Sequence, residues 1–367
     1  MSIVIVGDQD VLRFRGWLIR DLIAAGQRVV VCGPDQPRLA EGIAGLNAEY
    51  VPLPLDRTGI DPTRDAADVL RLRRVIRRVR GRLVLSHSTK PNFIGPIAAR
   101  LAGVRSVFAM IEGLGYAFTP GGGWKRRLLR TAVTRLLRIS LRRCSAVFVL
   151  NATDERFVRT AGLVSAGQRV VRIEGTGIDL AEYAAAPVPP GRASFLLIAR
   201  LLREKGIGEY VEAARRLRQR GLDCRCALLG PVDSNPGALP IEQVAAWQQE
   251  GVIDYLGETD DVRPFLRSCT TYVLPSYREG LPRTVMEAMS IGRAIVTTDV
   301  PGCRDTTIDG VNGFVVPPRD PEALADAMQR FIDDASLADR LGRASRTLAE
   351  QHFDVGRVNS VIMHTMG

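Results

Sequence analysis

The sequence predicts an α/β protein of two doubly wound parallel-sheet domains. Three observations carry that expectation. The chain has 367 residues, more than one ordinary core accommodates. Short β-rich runs alternate with helical ones. The alternation stops at an Ala/Pro-rich stretch and then restarts. With 46% hydrophobic and 25% charged residues, the composition is that expected of a soluble globular protein.

In order, the first half reads SIVIVG (2–7), a helix through LIRDLIAAG (18–26), RVVVCG (28–33), a helix around VLRLRRVIRRVRG (69–81) and LVLSHS (83–88). PNFIGPIAARLAG (91–103), RSVFAMI (105–111), a long basic helix and SAVFVLN (145–151) continue it. After EYAAAPVPPGRA (182–193), read as a linker, come FLLIAR (195–200), a helix through EYVEAARRLRQRG (209–221), CALLG (226–230) and VIDYLG (252–257). TTYVLP (270–275), a helix after Pro282, AIVTT (294–298) and GFVVPP (313–318) complete the second half. Strand, helix, strand in both halves implies parallel sheets with crossover helices. The expected domains are 1–180 and 181–353, facing each other across a cleft, with a closing helix in 354–367 packing back on the first. Ligands of such sheets sit beyond the carboxyl ends of the strands.

The start, MSIVIVGDQD, has no basic leader and reads as a buried first strand instead of a secretion signal. No segment approaches the roughly 20 apolar residues that span a bilayer, so a cytosolic location is expected. Six cysteines lie at 32, 144, 224, 226, 269 and 303 without a CxxC pair, which favours buried structural thiols. His87, His352 and His364 leave little material for a histidine metal site. The net charge of +10 is uneven: residues 1–175 hold 29 Lys and Arg against 14 Asp and Glu. Halves of opposite character suggest domains with different partners.

REGLPRTVMEAM (278–289) sets Glu279 and Glu287 around Gly280, Leu281 and Pro282. It follows a strand and a loop, and Pro282 suits the first position of the next helix. A helix N-terminus beside glycine offers amides and positive dipole to phosphate. Glu279 can then meet hydroxyls of a group attached to that phosphate. Glu287, about a turn and a half inside, can meet a second set, as sugar and ribose would supply. The plainer alternative is that both acids merely favour an early helix position. In ARLLREKG (199–206), Arg200 and Lys205 follow the first strand of the second domain. There a guanidinium fork and an ammonium can neutralise a leaving diphosphate without a metal, although an isolated loop cation is usually just solvated.

Together, GTGID (175–179), ARLLREKG, EGLPRTVMEA (279–288) and PGCRDTTIDGVNGFVVPPRDPEAL (301–324) resemble glycosyltransferase family 4, retaining sugar-nucleotide transferases of GT-B fold. HSTKPNFIGPIAARLAG (87–103) and SVFAMIEGLGYAFT (106–119) look like the bacterial capsule, O-antigen and lipid-linked oligosaccharide transferases. The resemblance implies that Glu279 holds the donor sugar and stabilises charge near its anomeric carbon. Glu287 would hold the ribose, Arg200 and Lys205 the diphosphate, and Gly280, Leu281 and Pro282 would shape the phosphate end. Pro282 has no N–H to donate. Lys90, Glu112, Gly113, Leu114 and Gly115 would line the acceptor side. Many members carry a histidine where this chain has Glu112, which leaves open whether Glu112 takes over its role. Many also have a Gly-rich turn where this chain has GDQDVLRFRG (7–16). Asp8-Gln9-Asp10 spells a DxD metal signature, but it follows the first strand of the domain that does not bind donor. No metal or other cofactor is expected.

By resemblance the reaction passes a hexose or N-acetylhexosamine from a nucleoside diphosphate sugar, expected to be UDP-linked, to a polyprenyl-diphosphate-linked saccharide. The anomeric configuration is retained: the acceptor hydroxyl attacks on the face the diphosphate leaves, and a phosphate oxygen takes its proton. Fixed cations and helix-end dipoles assist in proportion to the charge that develops. Other readings are a transferase to a soluble acceptor, a sugar-nucleotide epimerase, or a nucleotide-sugar binding protein without turnover.

WKRRLLRTAVTRLLRISLRRC (124–144) has eight basic residues and no acidic one. On a 3.6-residue period Trp124, Leu128, Ala132, Leu136 and Ile139 share one side, with Arg126, Arg127, Arg130 and Arg138 opposite. A basic amphipathic helix over 124–143 suits an anionic membrane surface, and peripheral attachment to the inner face of the cytoplasmic membrane is expected. An ordinary packed helix with a solvated Arg face is the alternative. No nucleic-acid recognition module is present to support that partner.

Overall fold

The computed structural model describes residues 2–54, 61–113, 124–233, 235 and 237–367, the side chains of Pro62, Lys125 and Arg126 excepted. The chain forms two compact units, Met1–Thr176 with Gly356–Gly367, and Gly177–Val355.

In the first unit, among the described residues, strands β1 (Ser2–Val6), β2 (Arg28–Gly33), β3 (Glu49–Pro52), β4 (Leu83–His87), β5 (Ser106–Ile111), β6 (Ala146–Val149) and β7 (Arg169–Arg172) form one sheet. Their order is β3-β2-β1-β4-β5-β6-β7, parallel throughout. The connections carry α1 (Val11–Ala24), α2 (Pro37–Ala44), α3 (Pro62–Arg78), α4 (Thr89–Leu101), α5 (Trp124–Leu141) and α6 (Ala152–Thr160). Strands such as β1 and β2 are covered on both faces and therefore read as unbroken apolar runs. Val4, Val30, Val84, Val107 and Val147 share one core cluster. The edge strands β3 and β7, EYVP and RVVR, are partly exposed and lack that signature, so the sequence reading passes over both.

The second unit repeats the plan with β8 (Ser194–Ile198), β9 (Arg225–Leu229), β10 (Asp254–Tyr255), β11 (Thr271–Leu274), β12 (Ala294–Thr298) and β13 (Gly313–Val316). Their order is β10-β9-β8-β11-β12-β13. The helices are α7 (Ile207–Gln219), α8 (Ile241–Gln249), α9 (Arg263–Ser268), α10 (Arg283–Ile291), α11 (Pro321–Asp333) and α12 (Ser336–His352). α11 starts as its sequence suggests, with Pro321 in the first turn and Asp320 Oδ1 accepting from the Ala323 amide at 2.9 Å. A last helix, α13 (Val355–Met366), belongs from Gly356 onward to the first unit. There Asn359 Nδ2 donates to Asp21 Oδ2 at 2.7 Å.

Strand order reverses between β1 and β4 in one sheet and between β8 and β11 in the other, the two places where such sheets open a crevice at their carboxyl ends. Gly7 and His87 emerge at the first, Ala199, Arg200 and Pro275 at the second. α10 begins at Arg283, not at Pro282. Pro282 caps the helix with extended backbone (φ −70°, ψ 112°), and its carbonyl accepts from the Val285 and Met286 amides at 3.1 and 3.2 Å.

The apolar stripe read on α5 is not its core side. Val133, Leu137 and Leu141 are buried, whereas Trp124, Leu128, Leu129 and Ile139 are exposed, interleaved with exposed Arg127, Arg130 and Arg138. Among the described residues no helix is long and apolar enough to cross a membrane.

Candidate functional site

In the second unit the chain leaves β8 through Ala199 and Arg200, makes a single 3-10 turn over Arg203–Lys205, and enters α7 through Gly206. Gly206 has φ +71°, and a Cβ there would lie 2.0 Å from the Pro275 carbonyl oxygen. The absence of a side chain lets this turn press against the exit of β11. Lys205 is thereby brought to the loop that precedes α10.

That loop carries Glu279. Its Oε1 accepts from Lys205 Nζ at 2.6 Å and from Ser276 Oγ at 2.7 Å, and both members of the ion pair are only slightly exposed. The loop is supported from the next connection: the Glu279 amide donates to the Pro301 carbonyl at 3.2 Å. At Gly302 (φ +83°) a Cβ would fall 2.6 Å from the Glu279 carbonyl oxygen and 2.7 Å from that of Gly280. Gly280, Leu281 and Pro282 then lead into the N-terminus of α10, whose first turn holds no acid. No acid of that first turn offsets the positive end of the dipole.

Glu287 lies on α10 and is fully buried. Its Oε1 accepts from Arg283 Nε at 2.8 Å and from the Tyr183 hydroxyl at 3.1 Å. Its Oε2 is buried with no hydrogen-bond partner among the described residues. Arg200, expected to meet the diphosphate, has a side chain 40% exposed and pairs with Asp233 Oδ2 at 2.6 Å. Both expected phosphate-facing cations thus already hold carboxylates. Spacing along the sequence revealed nothing of the partners Tyr183, Arg283, Asp233 and Ser276.

The first unit gathers a second charged group. Glu112, just past β5, bonds the guanidinium of Arg15 on α1 and lies 3.2 Å from His87 Nδ1 at the end of β4. Arg15 and His87 are fully buried, and Arg15 Nε and Nη1 and His87 Nε2 have no partner among the described residues. Burial pushes the Glu112 carboxyl up, but Arg15 and His87 outweigh it and hold the group down at about 2. Glu112 is therefore a fixed anion at any working pH. Gly7 makes room for this group, since a Cβ there would lie 2.3 Å from His87 Nε2. Lys90, buried on α4, pairs with Asp65. Gly113 follows Glu112 with φ +146°; Leu114 and Gly115 lie outside the described residues. Asp8-Gln9-Asp10 forms the turn into α1, with Asp8 Oδ1 accepting from the Asp10 amide at 3.0 Å. Among the described residues no three His, Cys, Asp or Glu side chains are gathered as metal ligands.

Residues 13–174 match the model described as glycosyl transferase 4-like domain, and residues 181–348 that described as glycosyl transferases group 1. The chain is 26% identical over 356 residues to the N,N'-diacetylbacillosaminyl-diphospho-undecaprenol alpha-1,3-N-acetylgalactosaminyltransferase of Campylobacter jejuni, covering 94% of this chain and 92% of that one. It is 24% identical to the putative glycosyltransferase EpsD of Bacillus subtilis, over 82% of this chain and 80% of that one. Among solved structures, sucrose-phosphate synthase from Thermosynechococcus elongatus superposes with a TM-score of 0.81 at 18% identity, covering 99% of this chain and 98% of that one. Anabaena HepE in complex with UDP and glucose gives 0.79 at 18% identity, covering 100% and 99%. The two family models follow one another along the sequence in the order of the two units, and the chain belongs to the GT-B glycosyltransferases of this group 1 and 4-like family.

Proposed function

We propose that this glycosyltransferase moves a hexose or N-acetylhexosamine from a nucleoside diphosphate sugar, UDP-linked, to a polyprenyl-diphosphate-linked saccharide, with retention and without a metal. The observation that carries the donor half is the 2.6 Å Lys205–Glu279 pair at the N-terminal end of α10. An ammonium, a helix dipole and a carboxylate stand together where a departing diphosphate and a positive anomeric centre need them. Arriving diphosphate would share Lys205 with Glu279 and draw Arg200 from Asp233, replacing carboxylate partners by phosphate oxygens. Glu279, released in part, would face the sugar ring. Arg283 pairs with Glu287 Oε1 and holds the carboxylate in place, and its buried Oε2 is the acceptor the ribose hydroxyls would satisfy.

The acceptor half rests on the relative from Campylobacter, which matches this chain almost end to end, and on α5. The outward face of α5 mixes Trp124, Leu128 and Ile139 with arginines, as a helix lying on anionic lipid requires. Glu112 and Gly113 would face the acceptor, with Glu112 as a fixed charge and no part in proton transfer. The attacking hydroxyl would then lose its proton to the leaving phosphate.

The test is a transfer assay with UDP-, GDP- and dTDP-linked sugars in EDTA, offered a polyprenyl-diphosphate-linked monosaccharide or the same free sugar. Extension of the lipid-linked acceptor from a UDP-sugar is expected. Transfer only to the free sugar, or only on addition of a divalent metal, would overturn the reading.

A further inference from the structure

The Glu287 carboxylate is asymmetric. Arg283 and Tyr183 both donate to Oε1, while Oε2 is buried and unpartnered among the described residues. Arg283 lies four residues earlier on the same helix and supplies charge. A carboxylate held from one side can still turn about its last torsion, which is broad. The second donor, from outside the helix, is what fixes which oxygen remains for a ligand.

Tyr183 is held unusually well for a residue in an irregular segment. The Asp179 side chain accepts from the Ala181 and Glu182 amides at 2.8 and 3.0 Å, and its carbonyl accepts from the Tyr183 amide at 2.9 Å, closing one tight turn. Arg346 on α12 donates to the Tyr183 carbonyl at 3.0 Å and, through the same nitrogen, to the Ser290 carbonyl of α10 at 2.6 Å. The Ala186 amide donates to the Ile291 carbonyl at 3.0 Å. Buried Arg293 donates to the Ala186 and Pro187 carbonyls at 3.1 and 3.0 Å. Two guanidiniums thus clasp residues 180–187 to the very helix that carries Glu287, and the tyrosine hydroxyl is delivered to Oε1 from a fixed base.

We infer that Tyr183 is a positioning residue that commits Glu287 Oε1 and leaves Oε2 as the single acceptor for the nucleoside, and so sets a preference for ribose over 2′-deoxyribose. The inference rests on the reading that Glu287 faces the ribose. An acceptor closed off from water and built for hydroxyl donors discriminates against an analogue lacking one, because the buried oxygen is then left short of a partner. A carboxylate free to turn can compensate by offering its other oxygen.

The experiment compares UDP with 2′-deoxy-UDP, and GDP with 2′-deoxy-GDP, by calorimetry on the wild-type protein and on Tyr183→Phe, which keeps the ring and removes only the hydroxyl. The wild type is expected to favour the ribonucleotide about tenfold or more, by loss of a hydrogen bond to a charged group. Tyr183→Phe is expected to weaken ribonucleotide binding about three- to tenfold and deoxyribonucleotide binding less, shrinking the ratio. In steady-state assays the loss should fall on the donor KM, with kcat retained. An unchanged ratio in the variant, even with a lowered Tm, would overturn the inference and leave the donor reading standing. Equal affinity of the wild type for both sugars would remove Glu287 from the ribose. Failure to bind any of the four would overturn the donor reading as well.

Discussion

The ammonium of Lys205 lies 2.6 Å from the carboxylate of Glu279, across 74 residues of sequence. A glycine turn pressed on β11 and a second glycine under the Glu279 loop together hold the pair in register. Lys205→Ala is expected to lower kcat by about 10²-fold or more, the scale of removing one preorganised charge-stabilising donor. Lys205→Arg should recover only part, since a planar fork does not replace a point charge. Steady-state kinetics with a saturating acceptor, beside circular dichroism to confirm folding, checks this.

The two glycines make a separate prediction. At Gly206 and Gly302 a methyl group would meet backbone oxygens at 2.0 and 2.6 Å, and both residues have positive φ. Gly206→Ala and Gly302→Ala should each lose on the order of 1–3 kcal/mol of stability. Their activity should fall further than the stability loss explains, because the shifted backbone carries Lys205 or Glu279 with it. Denaturant unfolding and kcat measured on the same samples separate the two effects.

The Glu112 group predicts an acid limb. Its folded value of about 2 lies below the ordinary 4.5, so its contribution is fully present above about pH 4.5 and is lost as pH falls toward 2. The amount is on the order of 3 kcal/mol. Glu112→Gln should remove this part of the acid dependence. It should also destabilise the protein near neutral pH by about 3–5 kcal/mol, the cost of leaving the buried Arg15 guanidinium without its anion. Urea titrations from pH 3 to 7 measure both.

The outward face of α5 predicts salt-sensitive attachment to lipid. Binding to vesicles containing anionic phospholipid should be strong at low salt and released at high salt. Arg127→Ala/Arg130→Ala should weaken it roughly thirtyfold, at about 1 kcal/mol per cation. Vesicle sedimentation provides the reading, and equal binding to neutral vesicles would argue against an electrostatic contact.

Much of this was legible in the sequence because the signals are local. Buried parallel strands must be apolar on both faces, so β1, β2, β8 and β12 announce themselves, while Glu279 and Glu287 are singled out by the resemblance to family 4 and left open by their spacing alone. What was not legible is mostly long-range. Nothing in the spacing pairs Tyr183 with Glu287, Asp233 with Arg200, or Arg15 and His87 with Glu112. Each pair is made where strands far apart in sequence end side by side, or where a clasped loop folds back. The core side of α5 is not legible for a related reason. Its composition supports two apolar stripes, and only packing against neighbouring elements decides that Val133, Leu137 and Leu141 turn inward. The start of α10 lies one residue later than the sequence suggests because Pro282 can serve as cap or as first helical position, and its ψ of 112° makes it the cap.

The central claim is tested most directly by a structure of the protein with an unhydrolysed nucleoside diphosphate sugar. The account predicts diphosphate oxygens within hydrogen-bonding distance of Lys205 Nζ and the first amides of α10, with the sugar ring against Glu279 and a ribose hydroxyl on Glu287 Oε2. A diphosphate seated away from α10, with the Lys205–Glu279 pair untouched, would contradict it.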